Sequence, residues 1–238
     1  MKALIIYSLI ALASTLFGST VPMLHASWAE RHKWRLLAFS SGVLLGIAIL
    51  HLFPEALMLA GRSASLVIVA TFGILFATEN ITTLHAGEDF LHPGSWDMVP
   101  FTALIALTIH ALVDGMAMGV SLRQNLAFGS AISIGVILHK FVDGLTRTSL
   151  LHTAHYYRLK EIALTLVLSM ATPVGALLTY IGAAHLGAHA IGIVLGISAG
   201  SFLYVAAADL LPRLHESNDR YTVVFFLAGL LVVGAFPG

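Results

Sequence analysis

The chain has 238 residues, of which 58% are hydrophobic and only 10% charged, with a mean hydropathy of +0.91. A soluble domain must cover its surface with polar groups, so this composition excludes one of this size and points to a helical membrane protein. The formal net charge of zero offers nothing to a nucleic acid, and the absence of cysteine excludes disulfides and thiolate metal sites.

The first apolar run covers Ala3 to Leu24 behind Lys2 and has the look of a signal peptide. It continues past any plausible cleavage point, and Arg31, Lys33 and Arg35 follow it, so it reads as a retained helix whose C-terminal end faces the cytoplasm. Further spans are expected over 36–59, 64–82, 98–121, 127–150, 161–183, 188–211 and 221–236, which makes eight. With the N-terminus outside, the inner loops hold seven Lys and Arg (Arg31, Lys33, Arg35, Arg158, Lys160, Arg213 and Arg220). The outer segments hold three, Lys2, Arg62 and Arg123, so the bias favours both termini outside. The expected fold is therefore an all-α integral membrane protein, a single transmembrane domain over 1–238 with no soluble domain.

The 3–4 loop, Leu84 to Met98, carries His85, Glu88, Asp89, His92 and Asp97 and no basic residue. It reads as a solvated turn broken by Pro93 and Gly94, or as a weak metal acceptor. His152 and His155 before helix 6 are less specific, and pairs of this kind are usually surface.

The strongest signal is a pattern that occurs twice, HALVDG from His110 and HKFVDG from His139. Residues four apart share one face of a helix, so His110 with Asp114, and His139 with Asp143, each form a two-pronged grip. Two imidazoles and two carboxylates suit a first-row divalent ion such as Zn²⁺, Fe²⁺ or Mn²⁺ better than Mg²⁺ or Ca²⁺, which prefer oxygen shells. Each histidine is about 12 residues into its span, near the bilayer midplane at 1.5 Å per residue, between helices 4 and 5. Ionised groups at that depth cost at least a few kcal/mol and are retained for a partner or a pathway. The midplane is also where alternating-access transporters hold their substrate. Gly115 and Gly144 follow the aspartates and would let neighbouring helices approach, and Pro173 in helix 6 can free a backbone carbonyl.

At these residues the chain resembles the ZIP family of divalent-metal transporters, whose helices 4 and 5 carry HNxxxG-like and HExxHE-like motifs. The resemblance extends to the HLFPEA stretch from His51 on helix 2, TPVG from Thr172 on helix 6 and GSFLYVAAADLLP from Gly200 on helix 7. It implies that His110, Asp114, His139 and Asp143 form the principal transport site and that metal moves into the cytoplasm. It also implies a homodimer, and two sub-bundles, helices 1, 4, 5 and 6 against 2, 3, 7 and 8, that slide like an elevator.

Two residues depart from the family pattern. Many members bind a second metal through a polar residue after the helix 4 histidine and an acid after the helix 5 histidine, where this chain has Ala111 and Lys140. A methyl and an ammonium bind no cation, so a single-metal site is expected, with Lys140 where the second ion would sit. The formal charge of Asp114, Asp143 and Lys140 is −1, and a divalent ion makes it +1.

Depth suggests a route. His51 and Glu55, toward the outer end of helix 2, could collect metal, and Asp209 and then Glu79, near the inner ends of helices 7 and 3, could relay it. Met116 and Met118 read mainly as packing. Gly192, Gly196 and Gly200 on helix 7, and Gly42 with Gly46 on helix 2, are packing faces.

The function expected is gradient-driven transport of a divalent metal, zinc first, with iron, manganese and cadmium also accepted. The metal is cargo, so no cofactor is expected. Metal binds neutral imidazole, so binding should weaken below about pH 6.5. A divalent cation entering the cytoplasm is favoured by roughly 4–5 kcal/mol per 100 mV. The short loops suggest a bacterial inner membrane. The alternative weighed is a membrane zinc hydrolase acting on lipid amides, which would need an open coordination position and a general base. No HExxH is present for it. The cation-efflux family also uses HxxxD grips but with six spans and a soluble domain.

Overall fold

The computed structural model describes residues 1–89, 98–153, 158–215, 217 and 219–236, and among these there is no β-strand. Among the described residues eight helices run in order: α1 (Lys2–Leu24), α2 (Ala26–Ala60), α3 (Arg62–Asp89), α4 (Met98–Gln124), α5 (Leu126–Thr153), α6 (Leu159–His185, broken at Met170), α7 (Ala188–His215) and α8 (Thr222–Gly234). The first seven are long and apolar enough to cross a membrane, and α8 is a shorter apolar helix of 13 residues.

Two helices outrun their apolar cores. At 1.5 Å per residue α2 is about 52 Å long, well beyond the hydrocarbon thickness, so Arg31, Lys33 and Arg35 lie on a helical extension and not in a loop. Hydropathy reports the extent of the apolar stretch, while backbone hydrogen bonding carries the helix ten residues further back than position 36. In the same way α3 continues to Asp89, through the start of the stretch read as the 3–4 loop.

The outer surface carries large apolar side chains, and charged groups are buried within the bundle beside its apolar core. Phe17, Met58, Val69, Leu178 and Leu231 are exposed, whereas Ser40, Asp114, Lys140, Asp143 and Arg147 are buried. Water would reverse that distribution, and a bilayer favours it.

Helix contacts fall into two groups. α1 packs on α5, α4 on α5 and α6, and α1 also on α6; in the other group α2 packs on α8 and α7, and α3 on α7. The groups meet where α4 touches α7 and α2 touches α5. Close approach inside the first group depends on glycine. A Cβ on Gly115 would collide with the Thr172 carbonyl of α6, and one on Gly144 with the Thr15 carbonyl of α1. Along α7, Gly192 and Gly200 meet Ala60 and Ile68 in the same manner.

α2 and α7 each widen into a π-helical turn, at Ile47–Leu52 and Tyr204–Leu210. Each precedes a proline, Pro54 and Pro212, whose ring cannot pass the carbonyl four residues back and whose nitrogen has no proton to donate. The wider turn absorbs the ring and leaves carbonyls for other donors. Ser41 Oγ of α2 donates to a carbonyl of the α7 turn, that of Ala206, at 3.1 Å, and the same carbonyl oxygen accepts from the Leu211 backbone N–H.

Candidate metal site

α4 and α5 lie side by side with His110 and His139 near their middles. The two Nε2 atoms are 3.0 Å apart, with the ring planes inclined at 78°. Asp114, one turn along α4, brings Oδ2 to 3.5 Å from His110 Nε2. One donor atom from each of His110, Asp114 and His139 lies within 4.8 Å of the others. Tetrahedral zinc with bonds of about 2.0–2.1 Å separates its ligand atoms by roughly 3.3 Å, so this nitrogen–nitrogen–oxygen triangle has the dimensions of a transition-metal site.

Asp143 stands differently. Its Oδ2 lies 2.8 Å from Lys140 Nζ and 2.9 Å from Arg147 Nη2, and it is not a member of that triangle. Lys140 also reaches across to Asp114 Oδ2 at 2.5 Å. A continuous chain of charge therefore runs Asp114, Lys140, Asp143, Arg147, and all four are buried. Mutual pairing makes such burial tolerable, because each ion alone would carry a penalty of several kcal/mol. Arg147 changes the charge balance expected from sequence. The four side chains sum to zero, and a divalent ion brings the centre to +2.

Two residues that reasoning from sequence missed shape the site. Arg147 had a readable signal, since it lies four residues after Asp143 on one helix face. Ser40 had none. It is fully buried on α2, and its Oγ shares a hydrogen bond of 2.6 Å with His139 Nδ1. Only the packing of α2 on α5 brings it there.

The remaining candidates lie elsewhere. Ala111 is buried beside His110, as its methyl allows. His51 is buried in the widened turn of α2 with Nε2 3.4 Å from the Val233 carbonyl of α8, and Glu55 is half-buried one turn on. Asp209 and Glu79 converge on Arg213, at 2.6 and 3.9 Å. Met118 is fully buried in the apolar core. The side chains of His85, Glu88, Asp89 and His152, and all of His92, Asp97 and His155, lie outside the described residues.

A family model described as ZIP Zinc transporter matches residues 87–236, well over half of the chain, including both histidine helices. Zinc transporter ZIP13 of Pongo abelii is 26% identical over 228 residues, covering 90% of this chain and 70% of that protein. Protein zntD of Dictyostelium discoideum is 34% identical over 146 residues, 57% of this chain and 21% of the relative. Zinc transporter ZIP9 of Micropogonias undulatus is 29% identical over 158 residues, 63% and 50%. The chain thus spans from a fifth to 70% of the length of these relatives. ZIP13 and ZIP9 are named as transporters, not as enzymes, and the hydrolase alternative finds no support among them. With apolar membrane-length helices, two histidines meeting between α4 and α5, and a family match across that region, this integral membrane protein belongs to the ZIP family of zinc transporters.

Proposed function

We propose that the chain carries a divalent transition metal, zinc first, then iron, manganese and cadmium, into the cytoplasm down an existing gradient. The observation that carries this reading is the 3.0 Å approach of His110 and His139 beside Asp114, inside helices of membrane length. Two neutral imidazoles and a carboxylate hold a borderline-soft divalent ion, and their depth leaves it equally far from both solutions.

His110, Asp114 and His139 are the proposed ligands in a single-metal site near the midplane. Lys140 already touches both aspartates, so an arriving ion takes Asp114 while the ammonium stays with Asp143. The two groups of helices support an elevator-like movement of α1, α4, α5 and α6 against α2, α3, α7 and α8. His51 and Glu55 are proposed for the outer approach and Asp209 and Glu79 for the inner one. A single eight-helix transmembrane domain with both termini outside follows from the charge bias, and the homodimer from the family resemblance. Placement in a bacterial inner membrane rests on short loops, while the relatives compared are eukaryotic.

The test is radiolabelled zinc uptake into proteoliposomes at neutral pH without ATP. Wild type should show saturable uptake, and His139→Ala and Asp114→Ala should lose it. A wild type that binds zinc but moves none would overturn the reading.

A further inference from the structure

The two histidines are not equivalent. We infer that Ser40 is a positioning residue: it accepts the Nδ1 proton of His139, so that the His139 Nε2 electron pair is held toward the metal site. This rests on the metal-site reading above.

A neutral imidazole carries its proton on one ring nitrogen and its electron pair on the other, so a partner that holds the Nδ1 proton leaves Nε2 free to bind metal. Ser40 Oγ lies 2.6 Å from His139 Nδ1, with both side chains buried, and His139 Nε2 faces His110 and Asp114 in the metal triangle.

Ser40 also sits on the far side of the boundary between the helix groups. Its neighbour Ser41 ties α2 to the widened turn of α7, while Ser40 reaches over to α5. The hydrogen bond that sets the His139 tautomer is therefore a contact between the two groups. Sliding of one past the other breaks it and removes a support of metal affinity.

The experiment is nitrogen NMR of isotope-labelled histidine in the full chain in detergent, with signals assigned by loss in His110→Asn and His139→Gln. His139 should be protonated at Nδ1 with and without zinc. In proteoliposomes, Ser40→Ala should raise the KM for zinc by about 10–100-fold, the range for loss of a ligand's orienting partner, with kcat changed less. Ser40→Thr, which keeps the hydroxyl, should restore both the tautomer and the KM. Protonation of His139 at Nε2 in the zinc-free wild type overturns the inference, as does a Ser40→Ala variant with wild-type signals and KM. A wild type that moves no zinc would sink the transport reading alone, because the NMR signals would still decide the role of Ser40.

Discussion

Lys140 Nζ stands 2.5 Å from Asp114 Oδ2 across the boundary between α4 and α5, with both groups buried. The carboxylate that completes the metal triangle is thus also held by a cation built into the chain. Zinc and Lys140 compete for it. Lys140→Met removes the competitor and a like charge, and zinc should bind about tenfold tighter, equivalent to about 1.4 kcal/mol. The gain stays small because Asp114 must then be buried without a counter-ion when zinc is absent. Titration against a chromophoric chelator in detergent measures it, and weaker binding would mean that Lys140 shapes the site and does not compete.

Arg147 has its own test. Its Nη2 lies 2.9 Å from Asp143, and neither group reaches water. Arg147→Met leaves Asp143 with Lys140 alone and should cost about 3–5 kcal/mol, the usual penalty for breaking a buried pair. Arg147→Met with Asp143→Leu removes both ions and should recover most of that loss. Thermal unfolding of the single and double variants gives the coupling, and additive losses would argue against a shared ion pair.

Gly144→Ala should destabilise by about 1–3 kcal/mol or more, because the new methyl meets the backbone carbonyl of Thr15 and not a side chain that could turn away. Gly182→Ala is the control, since nothing lies within 4 Å of its Cβ position. Unfolding midpoints should separate the two, the first lowered and the second little changed.

The link between α2 and the turn before α8 should respond to acid. Arg35 Nε lies 2.6 Å from Asp219 Oδ2, and that hydrogen bond, with the Tyr221 backbone N–H, holds the Asp219 carboxyl below its ordinary value of 3.8. A depressed acid contributes stability that is complete above its unfolded pKa and is lost as pH falls through its folded one. Wild type should therefore unfold at a higher temperature than Asp219→Asn at neutral pH. The two should converge below about pH 4. A difference that persisted into stronger acid would assign the effect to something other than this pair.

The sequence by itself determined the membrane solvent, the helical class and the helix pair that carries the chemistry. Each of these depends on local information. Apolar runs set which segments enter a bilayer, and a spacing of four places His110 over Asp114, and His139 over Asp143, wherever the helices lie. Helix ends were less legible, because α2 begins in a polar segment that hydropathy reads as loop.

Tertiary packing decided which members of the repeated pattern face one another. The two grips share one His–Asp spacing, yet Asp114 joins His110 and His139 in the metal triangle while Asp143 stands outside it against Arg147, with Lys140 touching both aspartates. Two helices packed side by side present different neighbours to equivalent positions. Ser40 enters only through that packing, from a different helix group, whereas Arg147 reaches Asp143 along its own helix. No spacing rule within one segment can assign the hydrogen-bond partner of a buried imidazole, because the partner is supplied by whichever helix the fold lays across it.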